Sequence, residues 1–99
     1  MQEIPVFQLV FEKLKQRINS AHALEEVVSH VFTVYTFRNA DLDDPVNVTL
    51  WKKDDTATVK LGSRKIMAFD KKESMELRAL FAAKRKQLRE QALKKFLGN

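Results

Sequence analysis

Apolar residues recur at helical spacing near both ends of the chain and alternate with polar ones in its middle. In residues 5–18, Phe7, Val10, Phe11, Leu14 and Ile18 fall on one stripe of a helical wheel, with Glu12, Lys13 and Gln16 elsewhere. Pro5 stands at the first helical position, where its missing N–H costs nothing. The spacing predicts a helix over 5–18. Asn19-Ser20 then reads as a junction, with Ser20 placed to cap a second helix. Leu24, Val27, Val28, Val31 and Tyr35 continue the helical period, and a helix over 21–37 is expected. Against it stands the run from Val31 to Phe37, all strand formers. A strand there would have to begin after His30 without any Gly or Pro to turn the chain.

The period then changes. After the polar connection Asn39–Pro45, Val46, Val48 and Leu50 alternate with polar neighbours, as do Ala57, Val59 and Leu61. Lys53-Asp54-Asp55-Thr56 reads as a hairpin loop, and Gly62-Ser63 as a tight turn into a short strand over 65–69. Loops this short permit only antiparallel neighbours, so residues 46–69 should form a three-stranded meander. Asp70-x-x-Glu73 resembles a capping box with Asp in the capping position. It opens a helix expected over 71–97, about 40 Å long. A compact domain of this length has a radius of gyration near about 13 Å, so the last turns should overhang. The expected fold is a single α+β domain of order α-α-β-β-β-α, its helices packed on one face of the sheet.

Composition narrows the function classes. The chain has 99 residues and no cysteine, which removes disulfides, thiolate metal sites and cysteine nucleophiles together. Its seven Phe, one Trp and many Leu and Val suffice for one modest core. The beginning of the sequence lacks a basic, signal-like region, and no apolar run approaches a membrane span. A soluble cytoplasmic protein without membrane contact is expected.

Charge is the sharper signal. The formal net charge is +5. Residues 1–50 hold four basic and seven acidic side chains, whereas residues 51–99 hold fourteen basic and six acidic. Asymmetry of this kind points to a polyanionic partner. On the last helix the core stripe is Leu77, Leu80, Phe81, Leu88 and Ala92. Lys71, Arg78, Arg85 and Arg89 form a band beside that stripe. On the other flank, Lys72–Glu76, Lys86–Glu90 and Glu90–Lys94 are spaced to pair. Guanidinium groups fork onto phosphate or carboxylate, so the band suits a nucleic-acid backbone or an acidic protein surface. The competing reading is a solvated face, or one neutralised from within by Glu25, Glu26, Asp41, Asp43 or Asp44. A second apolar band, Met75, Ala79, Ala82, Leu93 and Leu97, lies away from the core stripe and suits a protein partner or a homodimer. Trp51, beside Lys52-Lys53, is read first as a buried side chain capping the core and second as a base-stacking group.

Catalytic patterns are sparse. No P-loop, dinucleotide-binding glycine pattern or G-x-S-x-G motif occurs, and Asp43-Asp44 and Asp54-Asp55 are adjacent loop carboxylates. His22, Glu26 and His30 would share one face of a helix over 21–37 and reach a zinc ion, an arrangement that stands or falls with that helix. The expected protein is not an enzyme and carries no cofactor or metal.

The order helix, three-stranded meander, helix resembles the double-stranded RNA-binding domain with an extra helix in front. Lys71-Lys72, followed by Ser74, Ala79 and Ala82, is similar to the basic start of that family's last helix. The likeness covers barely a dozen residues, and as one of architecture it carries no function. The leading expectation is a small non-enzymatic binding protein whose basic C-terminal half contacts nucleic-acid phosphates. Arg78, Arg85 and Arg89 are the principal contacts, helped by Arg64, Lys65, Lys71 and Lys72. The alternative is a protein-interaction module or homodimer built on the second apolar band.

Overall fold

The computed structural model describes residues 6–98. Helix α1 (Val6–Asn19) is followed by strands β1 (Ala23–Val28), β2 (Phe32–Arg38), β3 (Val46–Trp51), β4 (Ala57–Leu61) and β5 (Arg64–Phe69), and helix α2 (Lys71–Phe96) closes the chain. The strands form one antiparallel sheet in the order β1-β2-β3-β4-β5, each paired with its sequence neighbour. The α+β class is as expected; the element order is not. Pro5, the residue expected to open the first helix, lies outside the described residues.

The helix expected over 21–37 is the hairpin β1–β2, which makes the sheet five-stranded rather than three-stranded. Two short strands replace it because Val31–Phe37 follow their β propensity and Ser29 supplies the turn that neither Gly nor Pro provides. The Ser29 hydroxyl accepts from the backbone N–H groups of Val31 and Phe32 and donates to the Phe32 carbonyl, while the Ser29 N–H also bonds that carbonyl at 2.8 Å. Ser20 caps no helix: its hydroxyl donates back to the Arg17 carbonyl. The element order that resembled the double-stranded RNA-binding domain is therefore absent.

The strands expected over 46–69 are present, with β5 starting at Arg64. The β3–β4 loop is held by Asp54, whose carboxylate accepts from the Thr56 N–H and hydroxyl, with Asp55 at φ +59°. Gly62 turns β4 into β5 at φ +60°, a conformation that favours glycine, and passes close to Asp44. A register shift at Val59/Lys60 leaves Ile66 as the extra residue of β5.

Alternation decides which face is covered. Tyr35, Phe37, Val46, Val48, Leu50, Ala57 and Val59 share one face of the sheet and are buried. Over them lie Phe11, Leu14 and Ile18 of α1 and Leu77 and Phe81 of α2. Phe81 stacks on Tyr35 at 4.3 Å between ring centroids and tilts against Phe37, while Phe7 and Phe11 both meet Phe69. The carbonyls at the C-terminal end of α1 are satisfied from two sides. The buried Asn39 donates to Arg17, and the buried Lys84 reaches across from α2 to Asn19 at 2.6 Å.

Asp70 caps α2 as expected, its carboxylate accepting from the Glu73 N–H. Burial along α2 runs from Ser74 to Lys84, with Leu88 half-buried. Ala92, expected in the core stripe, is exposed. The helix leaves the body there, which accounts for a radius of gyration of 14.5 Å and a longest dimension of 50 Å. Among the described residues, no helix is long and apolar enough to cross a membrane.

Candidate functional site

The basic flank of α2 lies beside β1, the edge strand. Arg85 is its fixed point: its Nη1 donates to both carboxylate oxygens of Glu26 at 3.0 Å. Glu26 also accepts from the Tyr35 hydroxyl at 2.6 Å. Glu26 can serve both because alternation in β1 turns it toward the helix-covered face, opposite Tyr35 in the register. The network leaves its mark on Tyr35, whose hydroxyl is pushed up to about 12, first by burial and then by the hydrogen bond and charge of Glu26. Arg85 and Arg78 pull in the opposite direction. One arginine of the predicted band is thus already partnered by an acid from the first half of the chain.

Arg78 and Arg89, on the same flank, have no carboxylate within 4 Å among the described residues. The same holds for Lys86, Lys94 and Lys95, all exposed. The pairs expected on the other flank do not form among the described residues. Glu76 instead bonds Lys15 of α1, which also holds Glu12. Glu76, itself exposed, reaches Lys15 because α1 packs beside that side of α2.

The remaining predicted cations sit elsewhere. Lys71 and Lys72 open α2 at the far end of the helix, with Lys71 at 3.9 Å from Asp55. Arg64 and Lys65 are on β5, the opposite sheet edge from β1. Arg64 lines a small surface hollow with Asp44. Lys65 stands directly across from Lys60 on the face that the helices leave open. The predicted set therefore divides into an α2 flank, a helix start and a β5 edge.

The second apolar band is exposed throughout. Met75 is 58% exposed, Leu93 56% and Leu97 64%, with Ala79 and Ala82 also open to solvent. Phe96, at 85%, belongs to this exposed end although sequence spacing did not assign it to the band.

Two sequence expectations are corrected. His22, Glu26 and His30 are not gathered on a helix face: His22 precedes β1, Glu26 is inside it and His30 is in the turn after it. No group of three or more His, Cys, Asp or Glu among the described residues could hold a metal ion. Trp51 is not a core side chain either. It lies half-buried on the open face, where its Nε1 donates to the Thr58 hydroxyl at 3.0 Å and its ring meets Phe32 edge-on.

A further hollow, of about 370 Å³, opens between α1 and the β4–β5 end of the covered face, lined by Leu9, Leu14, Leu61 and Ile66 with Lys13 beside them. Sequence patterning gives no sign of it, because its lining comes from elements that only the fold brings together.

The chain matches no protein-family profile, and no curated protein or solved structure is significantly similar to it.

Proposed function

We propose that this protein is a small, non-enzymatic nucleic-acid-binding protein whose protruding C-terminal helix contacts the phosphate backbone. One observation carries the reading. Residues 84–96 hold six basic side chains and one acidic one, and the helix leaves the body of the domain within that stretch. Arg78 and Arg89 are the principal contacts, since no carboxylate occupies them among the described residues. Arg85 joins them when it exchanges Glu26 for a phosphate. Arg64, Lys65, Lys71 and Lys72 lie too far apart in the fold to belong to the same contact.

The test is binding of labelled DNA and RNA at two salt concentrations. Phosphate contacts release counterions, so a reading with five contacts from Arg78, Lys86, Arg89, Lys94 and Lys95 gives a log–log salt slope of roughly −4 to −5 on duplex. Arg78→Glu with Arg89→Glu should abolish binding; unchanged affinity would overturn the assignment.

A second reading, a homodimer or protein-interaction module, is favoured by the exposure of Met75, Leu93 and Leu97. Light scattering across a range of concentrations decides it. A second copy would raise the mass, and Leu93→Lys with Leu97→Lys would return it to that of one chain.

A further inference from the structure

Both helices lie on one face of the sheet, and the other face is left open. Register places Phe32 directly opposite Trp51 on that face, half-buried, their ring centroids 5.7 Å apart. The indole is fixed rather than loose, because its N–H is bonded to Thr58 of the neighbouring strand. Lys60 is the next residue on that face of β4 beyond Thr58, about 7 Å along the strand. Directly across from Lys60 stands Lys65. Two lysines opposed across strands repel each other, and neither has a carboxylate within 4 Å among the described residues. Such a pair gains most from an anion that can sit between the two ammonium groups.

We propose that this open face is a platform for single-stranded nucleic acid, with unpaired bases stacking on Phe32 and Trp51 and adjoining phosphates held by Lys60 and Lys65. The proposal rests on the nucleic-acid reading above and narrows it to unpaired strands at this face. Aromatic rings take any base, because every base has a π-face, whereas a duplex keeps its bases stacked on one another and offers the rings nothing. The positive charge supplies the attraction along the backbone. Phe96, exposed beside Lys94 and Lys95 at the end of α2, is a lone ring, whereas this face holds two rings in contact beside the lysine pair, so the preference for single strands is assigned to this face.

Trp51 is the only tryptophan, so its emission reports the face directly. The full chain is titrated with a short oligothymidylate, a short oligouridylate and a duplex of mixed sequence. Trp51 emission and the polarisation of a labelled strand are followed together. Quenching by the single strands, saturating with the polarisation signal, is expected, and none by the duplex. Phe32→Ala should weaken single-strand binding by about tenfold or more. Lys60→Glu with Lys65→Glu should weaken it similarly without touching the core, which guards against a folding defect at Phe32. Quenching by oligothymidylate alone or oligouridylate alone identifies DNA or RNA as the source of the strand. If polarisation rises while Trp51 emission is unmoved and the variants bind like the parent chain, this proposal falls and the α2 reading stands. Equal quenching by duplex also overturns it. If no nucleic acid binds at low salt, both readings fall.

Discussion

Glu26 serves two partners at once, and replacing it in two ways separates what each is worth. In Glu26→Gln the amide oxygen still accepts from the Tyr35 hydroxyl, and only the charge facing Arg85 is lost. In Glu26→Ala the hydroxyl loses its acceptor as well. The Arg85 side chain is 43% exposed, so its ion pair is screened by water and contributes about 0.5–1 kcal/mol. Tyr35 is only 6% exposed, and a buried hydroxyl left without its acceptor costs about 1–3 kcal/mol more. Glu26→Gln should therefore destabilise the fold by about 0.5–1 kcal/mol and Glu26→Ala by about 1.5–4 kcal/mol. Urea unfolding followed by Trp51 fluorescence resolves such a gap. Adding Tyr35→Phe to Glu26→Ala should recover part of the loss, because the orphaned hydroxyl is then gone. Equal destabilisation by Gln and Ala would refute the account, since it would mean that the hydroxyl does not depend on Glu26. The same Glu26→Gln variant frees Arg85, so under the proposed function its nucleic-acid affinity rises and its salt slope steepens by roughly one contact.

Tyr35 is the only tyrosine, so ultraviolet titration reads it without interference. Its ionisation should fall at about 12 rather than 10. The raised value means that its contribution to stability is complete below pH 10 and is lost as the pH climbs from 10 toward 12; a midpoint at 10 in the folded chain would contradict the network. Phe81 is fully buried against Tyr35 and Phe37, and Phe81→Ala should remove about 3–5 kcal/mol in a urea melt, a large share of what a domain of this size possesses. A loss below about 1 kcal/mol would mean that the stack is not central to the core.

The C-terminal helix and the last three strands were legible because each carries its own local signal: the Asp70 cap, the Gly62 turn, the clean alternation of Val46, Val48 and Leu50. Residues 21–37 were not. Two strands joined by a three-residue turn happen to place Leu24, Val28, Val31 and Tyr35 on a helical period, and the turn is made by the Ser29 hydroxyl, not by Gly or Pro. With that helix went the grouping of His22, Glu26 and His30. The arginine band was legible as a stripe, but the partner of Arg85 was not, since Glu26 is 59 residues away and only the sheet brings it near. Lys84 carries a signal in its position along the helix. It occupies the same stripe as Leu77, Phe81 and Leu88, and a lysine in a core stripe marks a buried cation with a specific acceptor, here the Asn19 carbonyl. Trp51 lies off the core because alternation within β3 puts it out of step with Leu50.

A sheet in which every strand joins its immediate predecessor asks little of the unfolded chain. Each of its four pairings closes a short loop, and closing short loops is fast and entropically cheap. The docking of α1 against α2 is different in kind: the Lys84–Asn19 bond joins residues 65 positions apart. The meander can thus assemble by successive local zippering, leaving the meeting of the two terminal helices as the slow, topologically expensive event of folding.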